Sequence, residues 1–221
     1  MEPIRESVTQ TKRDIRKHIL TLRDSILPED RACWDTGIRN RVLAHSAYLE
    51  AKVILAYASY RSETDTMGLI RQALTDGKYV FAPKVSGDEM EFWQIRRPED
   101  LQSGYRGIPE PVQDISLPEW AERASKCDGA NNEKRVCKAM MWMPGAAFDA
   151  KRHRIGYGRG FYDRYLGRTS DTNKDISFHD VGFRLQLVKA ALAYGCQIVQ
   201  QIPYEPHDVR PDMIITEKEI L

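Results

Sequence analysis

Apolar positions recur along the chain in two alternating rhythms, one spaced for a helix face and one running continuously as in a buried strand. Ile15, Ile19, Leu22 and Ile26 fall at i, i+4, i+7 and i+11, which predicts a first helix from about Ser7 or Thr9 to just before Pro28. Pro28-Glu29-Asp30 opens a second helix carrying Trp34, Ile38 and Val42, ending between His45 and Tyr48. Val53 to Tyr57 is an unbroken apolar run, the signature of a strand buried on both faces. Asp65 or Thr66 can cap a third helix through Met67, Leu69, Ile70 and Leu74, closed by Gly77. Two strands follow: Tyr79 to Pro83, and Met90 to Ile95 with period two. Gly104 to Pro111 reads as a loop and Glu119 to Lys138 as an exposed insertion, because no rhythm runs through them. Ala139 to Met143 is a buried strand stopped by Pro144-Gly145, and Phe161, Tyr162, Tyr165 and Leu166 mark a helix face. Toward the C-terminus the pattern predicts a strand over Ile176–Phe183, a helix over Leu187–Tyr194, and strands over Cys196–Ile202 and Met213–Ile215. Strands alternating with helices imply an α/β fold with a mainly parallel sheet covered by helices on both faces. No repeat or low-complexity tract divides the chain, so residues 1–221 form one domain, with 119–138 as its insertion.

Composition narrows the function classes. The chain has 33 Lys plus Arg against 32 Asp plus Glu, a net charge of +1, and so no global attraction to nucleic acid or anionic membrane. No apolar run approaches the ~20 residues of a membrane span. The polar N-terminus lacks the apolar core of a secretory signal, so the expected location is cytoplasmic. Cys33, Cys127, Cys137 and Cys196 form no CxxC pair, and the five histidines lack metal-ligand spacing. With no GxSxG either, covalent catalysis has little support.

One stretch carries chemistry. Between the Met143 strand and the Phe161 helix lies Arg154-Ile155-Gly156-Tyr157-Gly158-Arg159-Gly160-Phe161-Tyr162-Asp163. Alternating glycines let main-chain N–H groups converge on one point, as in a phosphate cradle. Arg154 and Arg159 can add forked donors, and Asp163 can reach a divalent cation on the same phosphates. The competing reading is a surface loop with incidental arginines. The run is neither GxGxxG nor GxxxxGK[ST], so its spacing says phosphate and no more. On the first helix, Lys12 and Arg16 are four apart beside the apolar stripe, where long stems can deliver charge into a cleft; Arg13 and Lys17 point further out. A solvated basic face has the same spacing. Glu63 lies on a strand-to-helix loop, the edge where open α/β sheets place ligands, although such an acid is often just solvated.

Seven spaced segments together resemble the 5-formyltetrahydrofolate cyclo-ligase family, also called methenyltetrahydrofolate synthetases. They are Lys12 to Arg16, Glu63 to Thr66 with Leu69-Ile70, Ala82-Pro83, Gly107 to Pro111, Met143-Pro144-Gly145 with Phe148-Asp149, Arg154 to Asp163, and His207-Asp208 with Asp212. They occur in the family's order over nearly the whole chain. Three departures stand out: Arg152 and Arg159 occupy positions where the family commonly has glycine, and Phe161 stands where it usually has tyrosine. The resemblance implies a Rossmann-like three-layer architecture. It also implies a monomer that converts 5-formyltetrahydrofolate to 5,10-methenyltetrahydrofolate using ATP and Mg²⁺, with ADP and phosphate released. The need for ATP is chemical: a formamide oxygen leaves poorly as hydroxide, phosphorylation makes it a leaving group, and N10 then closes the ring by proximity.

Carried over by motif position, ATP would meet Lys12, Arg13, Arg16, Arg154, Gly156, Tyr157, Gly158, Arg159, Gly160, Phe161 and Tyr162. The folate would meet Ala58, Glu63, Tyr105, Gly107 and residues Tyr157, Gly158, Arg159, Gly160 and Phe161. Arg154, Tyr157 and Arg159 would act at the reacting centre, and Asp163 and Asp208 would hold Mg²⁺. Three rival readings differ in what they require. A related-fold enzyme of sugar phosphates or acyl thioesters would have no use for the magnesium carboxylates. A non-catalytic nucleotide or folate sensor would bind without turnover, and an interaction module would not need the loop.

Overall fold

The computed structural model describes residues 2–104, 107–112, 114–126, 135–169 and 175–221. The helices are α1 (Glu2–Asp24), α2 (Pro28–Ala44), α3 (Ser46–Glu50), α4 (Met67–Thr75), α5 (Leu117–Lys126) and α6 (Phe161–Thr169). The first strands are β1 (Val53–Leu55), β2 (Tyr79–Ser86), β3 (Glu89–Ile95), β4 (Leu101–Ser103), β5 (Pro109–Pro111) and β6 (Arg135–Met143). They are followed by β7 (Ala147–Asp149), β8 (Arg154–Ile155), β9 (Asp175–Phe178), β10 (Phe183–Leu192), β11 (Ile198–Val199) and β12 (Met213–Ile215).

The main sheet runs β12-β10-β6-β1-β2-β3, with β9 paired to β10. Its four inner pairings are parallel; the β2–β3 hairpin and β9 are antiparallel. Successive side chains of the central strands enter different cores, as the period of two requires. Val53, Leu55, Ala139, Met141 and Met143 pack with Trp120 and Ala121 of α5 and Tyr162, Tyr165 and Leu166 of α6. Ile54, Met140 and Trp142 pack on the other side with Ile38 and Val42 of α2 and Leu69, Ile70 and Ala73 of α4. The unbroken apolar runs of β1 and β6 therefore feed two cores, and the expected α/β layering with a mostly parallel sheet is borne out.

A second, three-stranded sheet, β11-β7-β8, follows directly from the end of β6. Helix α1 lies on this small sheet: Ile15 and Ile19 pack with Ala147, Ile155, Val199 and Ile202. Leu22, placed on the buried stripe by spacing, is 41% exposed. Asp65, not Thr66, caps α4, accepting from the amides of Met67 (2.9 Å) and Gly68 (3.3 Å).

Several sequence readings change. Leu187–Tyr194 is not a helix: β10 runs to Leu192, with Leu187–Ala191 paired to Ala139–Met143. Its alanines and leucines favour helix locally, but burial against β6 overrides that weak preference. Glu119–Lys138 is not an aperiodic excursion where it is described. Glu119–Lys126 belongs to α5, whose Leu117, Trp120 and Ala121 enter the core while Glu119–Arg123 and Glu122–Lys126 pair outside. Residues 135–138 begin β6, and 127–134 lie outside the described residues. Cys196–Ile202 contains only the two-residue β11, after a 3-10 turn over Gly195–Gln197. Within Gly104–Pro111, Pro109–Pro111 forms β5 and pairs with β4.

Between β6 and β7 the chain turns so tightly that a Cβ on Gly145 would overlap the fully buried Phe148 ring. Gly145→Ala is therefore expected to lose about 2 kcal/mol of stability through overpacking. Urea unfolding of the two proteins measures this, and an unchanged midpoint would refute it.

Candidate active site

The glycine loop is set by the hairpin that precedes it. Asp149, 1% exposed, ends β7 and accepts from the amides of Lys151 (3.0 Å), His153 (2.9 Å) and Ile202 (3.0 Å). Its Oδ2 also meets His153 Nδ1 at 2.9 Å, and the imidazole stacks on Tyr204 with centroids 4.2 Å apart. One carboxylate thus joins the β7–β8 turn to the segment leading into residues 203–209. Burial alone would raise the Asp149 carboxyl, but the bonds from His153 and from the His153 and Ile202 amides outweigh it and hold it below the ordinary range. Arg152 adopts φ = 65°, the left-handed conformation that glycine takes most readily.

Strand β8 then delivers Arg154, and the loop follows with Gly158 at φ = 98° and Gly160 at φ = 63°. Among the described residues, no hydrogen bond uses the main-chain N–H of residues 156 to 160. Arg16 Nε donates to the Gly156 carbonyl (2.8 Å), which puts a guanidinium beside these amides and ties a loop oxygen to α1. Arg154 is buried; Nη2 donates to Asp163 Oδ1 (2.8 Å) and Nη1 to the Pro144 carbonyl (3.2 Å), while Nε has no partner. Asp163 Oδ1 also accepts from the Val209 amide (3.0 Å). Lys12 Nζ donates to Asp208 Oδ2 (2.5 Å) and Glu205 Oε2 (3.2 Å). The 203–209 segment therefore brings Asp208 alongside both α1 and the start of α6. The ring of Tyr162 lies under Arg154, 5.9 Å from Cζ to centroid, and its buried hydroxyl has no partner among the described residues.

Arg159 is turned away from this group. Its guanidinium meets Asp88 (2.9 Å) at the tip of the β2–β3 hairpin and flanks Phe161. Arg164 holds the arrangement from the α6 side, donating to the carbonyls of Arg159 (2.6 Å) and Asp88 (2.8 Å). Arg13 is exposed on the outer face of α1.

Across the cleft, Glu63 sits between β1 and α4 and accepts from the Tyr60 amide at 2.9 Å. Burial raises its carboxyl above the ordinary range, against the opposing bonds from Tyr157 and the Tyr60 amide and the charge of Arg23. Ala58 is buried just beyond β1. Gly107 has φ = 80° and lies against the Tyr60 hydroxyl, 3.4 Å from where a Cβ would be. Tyr105 lies outside the described residues. Sequence reasoning missed Arg23, which is 4% exposed and bonds Ser62 Oγ (3.0 Å) and the Tyr157 hydroxyl (2.7 Å). The signal was present: Lys12, Arg16 and Arg23 lie within about 40° of one another around α1.

An open row of amides between two arginines, with carboxylates beside it and a second carboxylate loop opposite, suits an α/β enzyme that binds a phosphorylated ligand next to a polar one. The chain belongs to the 5-formyltetrahydrofolate cyclo-ligase family, whose model matches residues 8–217. That family consists of ligases, and this chain is an enzyme of that kind. It is 24% identical to the mouse 5-formyltetrahydrofolate cyclo-ligase over 96% of both chains. It is 29% identical to the Haemophilus influenzae enzyme, over 91% of this chain and 95% of the relative. Among solved structures, the Aquifex aeolicus 5,10-methenyltetrahydrofolate synthetase superposes with a TM-score of 0.72 at 25% identity, covering 95% of this chain and 91% of that one.

The Asp149 node makes a pH-dependent prediction. A carboxyl lowered in the folded state stabilises above its unfolded pKa, and that contribution is lost as pH falls through the folded value. Asp149→Asn should cost about 3 kcal/mol at neutral pH, and the gap from the parent should narrow on acidification below the ordinary carboxyl range. Denaturant titrations from pH 7 to pH 3 test this; a gap independent of pH would contradict it.

Proposed function

We propose that this chain closes the ring of 5-formyltetrahydrofolate to give 5,10-methenyltetrahydrofolate, consuming ATP in the presence of Mg²⁺ in the cytoplasm. The observation that carries the reading is the run of main-chain amides 156 to 160 with no partner among the described residues, flanked by Arg16 and Arg154. Unsatisfied amides beside guanidinium groups are complementary to phosphate oxygens, and they fit a triphosphate better than a neutral ligand. For magnesium, Asp163 and Asp208 would offer carboxylate oxygens, with Glu205 and His207 within 4.8 Å of Asp208. Asp163 and Asp208 each engage one oxygen with protein donors, and the other oxygen of each accepts no hydrogen bond among the described residues. Magnesium commonly takes one or two carboxylates together with phosphate oxygens.

When bound, the magnesium nucleotide supplies a phosphoryl group that turns the formyl oxygen into a competent leaving group. The chain's own residues position and neutralise. The loop amides, Arg16 and Arg154 hold the phosphates, with Phe161 and Tyr162 at the first turn of α6. Lys12 sits where it can exchange Asp208 for a phosphate oxygen, and Arg13 adds positive potential from outside. Glu63 offers a carboxylate to the pterin's N–H donors, with Ala58 and Gly107 lining the folate. Tyr157 stands between the two ligands. Arg159 would reach the reacting group only by leaving Asp88.

The test is direct: purified protein with 5-formyltetrahydrofolate, ATP and Mg²⁺ should show growing absorbance from the methenyl product. No growth from folded, metal-supplied protein would overturn the proposal. Arg154→Lys and Asp163→Asn should each lower kcat/KM about 10²- to 10³-fold, since each removes charge placement at the reacting phosphate. A near-parental rate in either variant would remove that residue from its role.

A further inference from the structure

Arg23 lies on α1, a helix whose other inward cations, Lys12 and Arg16, reach the 203–209 segment and the glycine-loop backbone, while its own guanidinium bonds two side chains. Nε donates to Ser62 Oγ at 3.0 Å, and Ser62 in turn donates to Asp24. Nη1 donates to the Tyr157 hydroxyl at 2.7 Å, with Cζ 5.7 Å from the centre of that ring. The third member is Glu63, next to Ser62, whose charge acts on the same hydroxyl.

The direction of this chain of bonds is fixed by chemistry. Guanidinium has no acceptor, so the Tyr157 oxygen must accept from Arg23, and its single proton is left free to point toward the Glu63 carboxylate. Burial, and after it the Glu63 charge, pushes the Tyr157 hydroxyl well above the ordinary tyrosine range, so it keeps that proton at neutral pH. Tyr157 is thus a fixed donor rather than a base. Its main chain belongs to the row of open amides, while its side chain belongs to the carboxylate loop opposite. Tyr157 as a residue is 43% exposed, and its hydroxyl is the end that lies buried beside Arg23.

We propose that Arg23 is a positioning residue that ties the glycine loop to the Glu63 loop through Tyr157, holding the two ligand-binding segments at a fixed separation. The tie acts through two hydrogen bonds from one guanidinium, Nε to Ser62 of the Glu63 loop and Nη1 to the Tyr157 hydroxyl. Loss of either bond frees the middle of a loop whose own amides make no bonds among the described residues. The kinetic consequence rests on the cyclo-ligase reading; the mechanical one does not.

Two measurements decide it. Limited tryptic digestion of the unliganded protein should cut the Arg159–Gly160 bond at least several-fold faster in Arg23→Met, which keeps the apolar stem, with amide exchange in β1 and β6 unchanged. Tyr157→Phe, which removes the tie from the loop side, should accelerate the same cleavage equally and guards against a folding defect in the first variant. In turnover, each variant should lower kcat/KM for the folate about tenfold. The double variant should lose no more than either alone, with partial recovery in Arg23→Lys. Unchanged loop cleavage in both variants, or losses that multiply in the double variant, would overturn the proposal. Absence of turnover in the unsubstituted protein would instead refute the cyclo-ligase reading and leave the cleavage result to judge Arg23.

Discussion

Three cations on one face of α1 hold together segments that the fold would otherwise leave separate. Lys12 reaches the 203–209 segment, Arg16 the glycine loop, and Arg23 the loop after β1. What aims them is apolar: Ile15 and Ile19 seat the helix on the small β11-β7-β8 sheet, outside the main layers. Burying a few aliphatic side chains fixes the helix rotation, and rotation fixes where the long stems deliver charge. The site therefore depends on a contact that contains none of its chemistry.

The electrostatics are balanced before any ligand arrives. Arg154 faces Asp163, Lys12 faces Asp208 and Glu205, and Arg23 faces Glu63 through Tyr157. Half-buried charges left alone would be costly, and pairing lets a concentrated set of ions sit in one cleft without destabilising the domain. The main-chain amides of the loop are the part left open, and a neutral amide tolerates water where a buried ion would not. That division separates the structural charges from the surface that remains available to a ligand.

Much of the fold was legible because its strongest signals are local. The apolar runs at Val53 and Met140 and the stripes of α2, α4 and α6 gave the alternation of elements, and the glycine loop stood out by spacing. The failures share one cause. β10 alternates only in its first half, where Phe183, Leu185 and Leu187 are buried and Arg184 and Gln186 exposed; Lys189–Leu192 is buried on both faces, so no period marks the half that reads as helix and β6 decides its state. α5 hid among charged residues because its buried face is short, with Trp120 as its one large side chain. Asp149 and Arg23 were invisible as partners because their bonds cross to residues distant in sequence. Arg23 reaches Ser62 and Tyr157, and Asp149 reaches the Ile202 amide. A sequence pattern shows which face a side chain occupies, not what awaits it there.

The anchoring of three loops on one helix also bears on how such a domain can vary. A glycine loop transplanted from a relative would arrive without the α1 residues that grip it, and a changed α1 would release all three loops together. A substitution at Lys12, Arg16 or Arg23 therefore acts in each case on a segment more than a hundred residues away. The helix and its loops form one mechanical unit, even though no strand pairing joins them.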